Sequence, residues 1–267
     1  MRIVRWDGET AREVADEVAR EEPLEIRVDG RPVSVTMRTP GHDAELAAGF
    51  LLSEGIVRRR GDVVSIRPCR RKGGDNALDV RLDPGLDVDL AGLTRHVFAS
   101  SSCGICGKAS IEAIHGRFPP VESDLVVDGR LLAAYPDVMR AAQVTFGRTG
   151  GLHAAALFDR AGRMLLLRED VGRHNAVDKV VGSCLLNGPF PLDEHVLVVS
   201  GRTSFEIMQK ALAARIAVVA AVSAPSSLAV DFARDGGQTL VGFLRAGRMN
   251  IYAHPGRITF DAPTPSA

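Results

Sequence analysis

Residues 100–108 read Ser-Ser-Ser-Cys-Gly-Ile-Cys-Gly-Lys, setting Cys103 and Cys106 three apart, each followed by glycine, in a chain of four cysteines. Two thiols at this spacing can hold a metal, make and break a disulfide, or carry a group on sulfur. A closed zinc site wants four ligands, yet Cys69, Cys184 and the seven scattered histidines supply neither a second CxxC nor an HxxxH. Zinc deaminase chemistry needs H-x-E upstream and then P-C-x-x-C. Here Ser102 precedes Cys103, and the upstream histidines read His-Asp-Ala at His42 and His-Val-Phe at His96. A thioredoxin-like pair would sit at a strand-to-helix junction, where the helix N-terminus lowers a thiol's pKa. The position ahead of a helix expected over Ala109–Arg117 allows that. Gly104 and Gly107, with three serines ahead of them, instead describe a loop that can swing, and the charge of Lys108 favours a thiolate or a persulfide anion. A nucleophilic sulfur that must meet two different partners would be built in this way.

Other residues offer ligand contacts. Arg245 and Arg248 in Gly-Phe-Leu-Arg-Ala-Gly-Arg-Met-Asn read first as a β-turn with exposed arginines, although arginine forks can also bind phosphates. Ser226 and Ser227 stand at a helix start directly after an apolar strand, as do Thr203 and Ser204. Such N-termini bind anions at the strand ends where α/β folds place ligands, while plain N-capping explains the same serines. The segment Arg-Glu-Asp-Val-Gly-Arg-His-Asn-Ala-Val-Asp-Lys packs Glu169, Asp170, Arg173, His174, Asp178 and Lys179 into one strand-to-helix turn. A buried network that positions the turn and a proton role for His174 are both open. His153 lies on an apolar run and reads as a core histidine. Thr149, Gly150 and Gly151 before it form a turn that can approach a ligand. Cys69 and Cys184 receive no role.

The elements that must position these residues alternate regularly. Leu24–Val28 and Val33–Met37 read as a hairpin about Asp-Gly-Arg-Pro. A helix follows, with Thr39 as cap, Pro40 in the first turn and Gly55 as its stop, and then strands at Val63–Ile66 and Ala77–Leu82 around a basic glycine-rich loop. Beyond the cysteine pair, helices are expected at Arg130–Gln143, His174–Leu186, Phe205–Arg215 and Ser227–Arg234. Strands are expected at Leu152–Phe158, Met164–Arg168, His195–Ser200, Ile216–Val222, Leu240–Leu244 and Arg248–Tyr252. Continuous apolar strands alternating with helices imply a sheet covered on both faces. We expect a small α+β subdomain over residues 1–95, an α/β domain over 96–260 and a disordered tail over 261–267.

Composition limits the partners. The 267 residues are 45% hydrophobic and 25% charged, with 33 basic and 33 acidic side chains. No net charge therefore points to nucleic acid or an anionic membrane. Arginine supplies nearly all the basic residues along the whole chain, which reads as codon bias. The charged N-terminus lacks an apolar signal core, and the longest apolar run, Ile216–Ala224, is too short to span a bilayer. The expected location is the cytoplasm, where a CxxC is more often catalytic or metal-binding than structural.

Seven segments together resemble the formate dehydrogenase accessory sulfurtransferases, the FdhD family. They are residues 35–56, the cysteine stretch 100–108, and residues 146–158, 168–182, 201–211, 222–233 and 242–258. They run in the family's order from about Glu25 to Ile258. The resemblance implies a cytidine-deaminase-like three-layer α/β/α domain without the zinc chemistry. It also implies a sulfur carrier: a cysteine desulfurase loads a persulfide on Cys103, with Cys106 assisting. The sulfur then passes to the molybdenum or tungsten of bis(molybdopterin guanine dinucleotide) before that cofactor enters formate dehydrogenase. The family further implies a homodimer and a site for the cofactor's guanine nucleotide ends, here Phe243, Leu244, Arg245, Ala246, Gly247 and Arg248 with Ser226 and Ser227. A chaperone that binds and delivers the cofactor without sulfur chemistry is the alternative.

Overall fold

The computed structural model describes residues 1–69, 76–86, 88 and 116–260. Cys103, Cys106 and Lys108, most of the helix expected at Ala109–Arg117, and the tail 261–267 lie outside the described residues.

A first hairpin pairs β1 (Arg2–Trp6) with β2 (Ala11–Ala15). The next pairs β3 (Glu22–Val28) with β4 (Arg31–Arg38) across a two-residue turn, Asp29-Gly30, with both φ values positive at 46° and 77°. That turn's twist matches the flanking strands, and Asp-Gly is its favoured pair. Helix α1 (Asp43–Ser53) follows, then β5 (Val63–Pro68) and β6 (Ala77–Leu82), completing a four-stranded sheet in the order β4-β3-β6-β5. Helix α1 begins four residues after Thr39, not at it. Thr39 is used elsewhere: its N–H donates to Asp170 Oδ2 and its Oγ1 accepts from Val171 N. Gly55, at φ 71°, ends the helix as expected.

The rest of the chain builds a six-stranded sheet. After β7 (Val127–Asp128) come α2 (Gly129–Ala142), α3 (Val144–Thr149), β8 (His153–Phe158), β9 (Met164–Asp170) and α4 (Arg173–Asn187). Then β10 (Val196–Val199), α5 (Phe205–Ala213), β11 (Val218–Ala221), α6 (Ser227–Asp235), β12 (Thr239–Arg245) and β13 (Arg248–Ala253) lead to β14 (Ile258–Thr259), which pairs with β7. The sheet order is β13-β12-β11-β10-β8-β9, with β10, β11 and β12 parallel and the remaining neighbours antiparallel.

Every residue of β10 and β11 is buried, so both alternating side-chain sets are covered. Right-handed crossovers put α5 and α6 on one face, with α4 alongside against β8 and β9. Helix α2 covers the other face, where Tyr135 stacks on Phe158 at 4.1 Å. This is the three-layer arrangement expected. Helix α1 packs on α4 and joins the four-stranded sheet to the rest, so that one apolar core runs from Ile26 through Leu51 to Val181.

Glycine makes that helix contact possible. A Cβ on Gly49 would lie 1.9 Å from Asp178 O, and one on Gly182 would lie 1.8 Å from Glu45 O. Around the contact, buried charges are paired, as burial requires. Lys210 Nζ donates to Asp178 Oδ2 at 2.7 Å, and Ser53 Oγ donates to Asp178 Oδ1 at 2.8 Å. Arg168 clasps Glu45 through two guanidinium nitrogens. Among the described residues no helix is long and apolar enough to cross a membrane.

Candidate functional site

The parallel strands β10, β11 and β12 all run out at one edge, and the loops that follow them are stitched together. After β10, Thr203 N donates to Ala224 O at 3.2 Å and Thr203 O accepts from Ser226 N at 3.0 Å. After β11, Ser223 O accepts from Phe243 N at 3.1 Å. One hydrogen-bonded rim therefore carries Thr203–Ser204, Ser223–Ser227 and Phe243–Arg248. Two segments picked from the sequence as cofactor-binding, 16 residues apart at their nearest ends, Ser227 and Phe243, are neighbours in space.

Phe243 has a backbone φ of 52°, in a break of register between Gly242 and Arg245. A bulky residue in this region is strained, and such strain gathers at functional sites. The twist turns the Phe243 N–H onto Ser223 and sets its ring under the Arg245 guanidinium, 5.6 Å from centroid to carbon. Gly242 permits this crowding, since a Cβ there would come within 2.8 Å of Pro225. Ala246 and Gly247, both at positive φ, make the tight turn between β12 and β13, and residues 245–248 are exposed. Leu244 is fully buried, so its side chain belongs to the core and only its backbone can meet a ligand. Ser226 Oγ accepts from Ala229 N and so caps α6, while Ser227 is exposed in the first turn.

The charged turn between β9 and α4 sorts into two groups. Glu169 accepts from Thr145 N and Phe146 N, securing the start of α3. Asp170 is fully buried and accepts from Thr39 N, Gly172 N and Asn175 Nδ2, with Lys179 Nζ at 2.6 Å. Lys179 also donates to Thr39 O. Glu169, Asp170, Asp178 and Lys179 are thus spent on structure. Arg173 and His174 remain at the rim.

There His174 Nε2 lies 2.9 Å from Glu206 Oε2 and 3.1 Å from Ser204 Oγ. The hydrogen bond from His174, aided by its charge, holds the Glu206 carboxyl below its ordinary value although burial opposes this. His153 sits across from Gly201, half-buried and not sealed in the core. Burial, with Arg173 and His174 nearby, pushes its pKa down, which favours the neutral ring. Arg173 Nε and Thr203 Oγ1 are buried without a hydrogen-bond partner among the described residues. Thr149 Oγ1 bonds back to Thr145 O, and Gly150 takes the left-handed conformation that ends α3. Away from the rim, burial pushes the Cys184 thiol up to about 11. A buried thiol of this kind is inert.

Glu206 was not singled out from the sequence. A signal exists: His174 and Asp178 on α4, and Glu206 and Lys210 on α5, each stand one helical turn apart. They face each other as two pairs, His174 with Glu206 and Asp178 with Lys210.

The FdhD/NarQ family model matches residues 19–259. A protein named sulfur carrier protein FdhD from Streptomyces coelicolor is 52% identical over 255 residues, spanning 92% of this chain and 90% of its own. Its namesake from Mycobacterium tuberculosis is 54% identical over 252 residues, spanning 91% of each chain. Among solved structures, a putative formate dehydrogenase accessory protein from Desulfotalea psychrophila superposes with a TM-score of 0.78 at 25% identity. It covers 97% of this chain and 98% of that one.

Proposed function

From the premise that this chain belongs to the FdhD/NarQ family, we propose that it is a sulfur carrier for formate dehydrogenase. The coarse role follows the names its relatives carry. In the finer reading, Cys103 attacks the persulfide of a cysteine desulfurase, becomes Cys103–S–SH, and offers its terminal sulfur to the metal of bis(molybdopterin guanine dinucleotide). The cofactor is cargo, sulfurated before it enters formate dehydrogenase. Cys106 assists. The protein acts in the cytoplasm as a homodimer.

The observation that supports this reading best is the bond between Phe243 N and Ser223 O. It makes one rim of the Ser226–Ser227 helix start and the exposed Arg245 and Arg248. Guanidinium groups recognise phosphate bidentately, and the N-terminus of α6 adds a partial positive charge. The donor set suits the diphosphate of a guanine dinucleotide, with the half-buried Phe243 ring available to the base. Holding the cargo there brings sulfur donor and acceptor into an effectively unimolecular encounter.

Formate dehydrogenase maturation with the Cys103→Ala protein tests the reading. Loss of active enzyme, with cofactor binding retained, is the expected result. Full maturation by that variant would leave a cofactor-delivering chaperone as the function.

A further inference from the structure

Arg173 opens α4 as an unpaired cation: its Nε is buried, and no described residue forms a hydrogen bond or an ion pair with it. Thr203 is 0% exposed, and its Oγ1 likewise has no partner among the described residues. The main-chain N–H and C=O of Thr203 are taken by Ala224 O and Ser226 N, so the hydroxyl is the group left over. Buried polar groups are paired in folded proteins, and two unpaired ones on adjoining turns point to a ligand that pairs them. The turns meet at Gly201. A Cβ there would lie 3.2 Å from His153 Nδ1 and 3.6 Å from Arg173 Cδ, so glycine lets both side chains close on the main chain that leads to Thr203. Ser204, next along, is the N-cap of α5 but makes no capping bond, because its Oγ meets His174 Nε2 at 3.1 Å. The first N–H groups of that helix, which have no intrahelical acceptor, are left to a ligand. Nearby carboxylates are matched: Glu206 by His174 Nε2 at 2.9 Å, and Asp170 by Lys179 Nζ at 2.6 Å. Burial first, then the charges of Arg173 and His174, hold the His153 pKa down against the opposing pull of Asp170. The turn is thus short of negative charge.

We propose that Arg173, His153 and Thr203, with the N-terminus of α5, form an oxyanion site for one phosphate group, set one loop away from Arg245 and Arg248. The guanidinium supplies charge and paired donors. The threonine hydroxyl adds a further donor, and the imidazole one that depends on its protonation. The phosphate belongs either to a guanine nucleotide held at the turn of Phe243 to Arg248 or to the free ion. The site stands whether or not the chain carries sulfur.

The test titrates the full chain with inorganic phosphate while NMR follows the imidazole resonances, with His153→Gln assigning the signal. Phosphate should raise the His153 pKa by about one unit, since an anion beside the ring favours its protonated form. Chloride at equal ionic strength should not. Arg173→Gln is expected to weaken phosphate binding by at least about 10-fold, the share of a charge-assisted bond. Thr203→Val keeps the shape and drops the hydroxyl. It should weaken binding about 3- to 10-fold and leave the urea midpoint no lower, because an unpaired buried hydroxyl is removed. Guanosine diphosphate is the second probe. A matching rise at His153, in competition with phosphate, assigns the phosphate to the nucleotide; a rise with inorganic phosphate alone assigns it to the free ion. A His153 that phosphate does not move, or a rise that survives Arg173→Gln undiminished, overturns the proposal. A chain that binds phosphate here yet gains no sulfur keeps this site and loses the sulfur-carrier reading, so the two fail separately.

Discussion

Gly182 of α4 stands against Gly49 of α1 so closely that a Cβ on Gly182 would lie 2.6 Å from Gly49 N and 1.8 Å from Glu45 O. The two helices meet backbone to backbone, and through them the N-terminal sheet is fixed to the six-stranded one. Gly182→Ala must therefore push two main chains apart. We expect it to cost about 3 kcal/mol, at the upper end of overpacking effects. Gly61→Ala, where a Cβ meets nothing within 4 Å, should stay within about 0.5 kcal/mol. Urea midpoints of the two variants make the comparison.

Lys179 and Asp170 carry the turn that presents Arg173 and His174. Both are buried, and removing one partner leaves the other charge uncompensated. Lys179→Met is expected to lose about 3–5 kcal/mol by chemical denaturation, and Asp170→Asn in the same chain to recover part of it. An additive double variant would show that the pair does not act as a unit.

Glu54 closes α1 at its carboxyl end, where a negative charge opposes the helix dipole. Burial raises its carboxyl above the ordinary value of 4.5. Lys210 and Arg117 offset this in part, and Asp178 and Glu206 add to the rise. The folded state thus favours the protonated form, and stability is lost as pH climbs from 4.5 through the raised folded value. Glu54→Gln removes that loss. The variant should be the more stable protein at pH 7 to 8 and equal to the parent below about pH 4, as read from thermal midpoints across that range.

Arg245 and Arg248 are exposed and bear no structural load that the core would miss. Replacing both with alanine should weaken binding of a guanosine diphosphate probe by at least about 10-fold, since charge-assisted bonds contribute about 1.5–3 kcal/mol each. Sulfur loading and stability should be unchanged. Titration calorimetry reads the first and intact mass the second.

The sequence carried the sheet because its strands are apolar on both faces. Val196–Val199 and Val218–Ala221 are unbroken runs bounded by helical pattern, and the Asp29-Gly30 turn announces its own hairpin. The pairing of β1 with β2 was not legible: nearly every side chain in it is exposed, so the strands have no alternation to read. The start of α1 was misplaced because Thr39 serves Asp170 and Val171, 131 and 132 residues away, and not the helix beside it. The Gly49–Gly182 contact is likewise silent, since a glycine inside a helix looks the same whether or not another helix touches it. At the rim, the Phe243 segment was named through the family resemblance and Ser226 from its place at a helix start, but their meeting was not legible. Glu206 lies 32 residues from its partner His174, and only the fold joins them.

The central claim is that Cys103 carries sulfur. Intact-protein mass spectrometry after incubation with a cysteine desulfurase and L-cysteine tests it most directly. The account predicts a gain of one sulfur, removed by reductant, mapped to Cys103 and lost in Cys103→Ala. No gain, with the desulfurase shown to be active in the same tube, would contradict it.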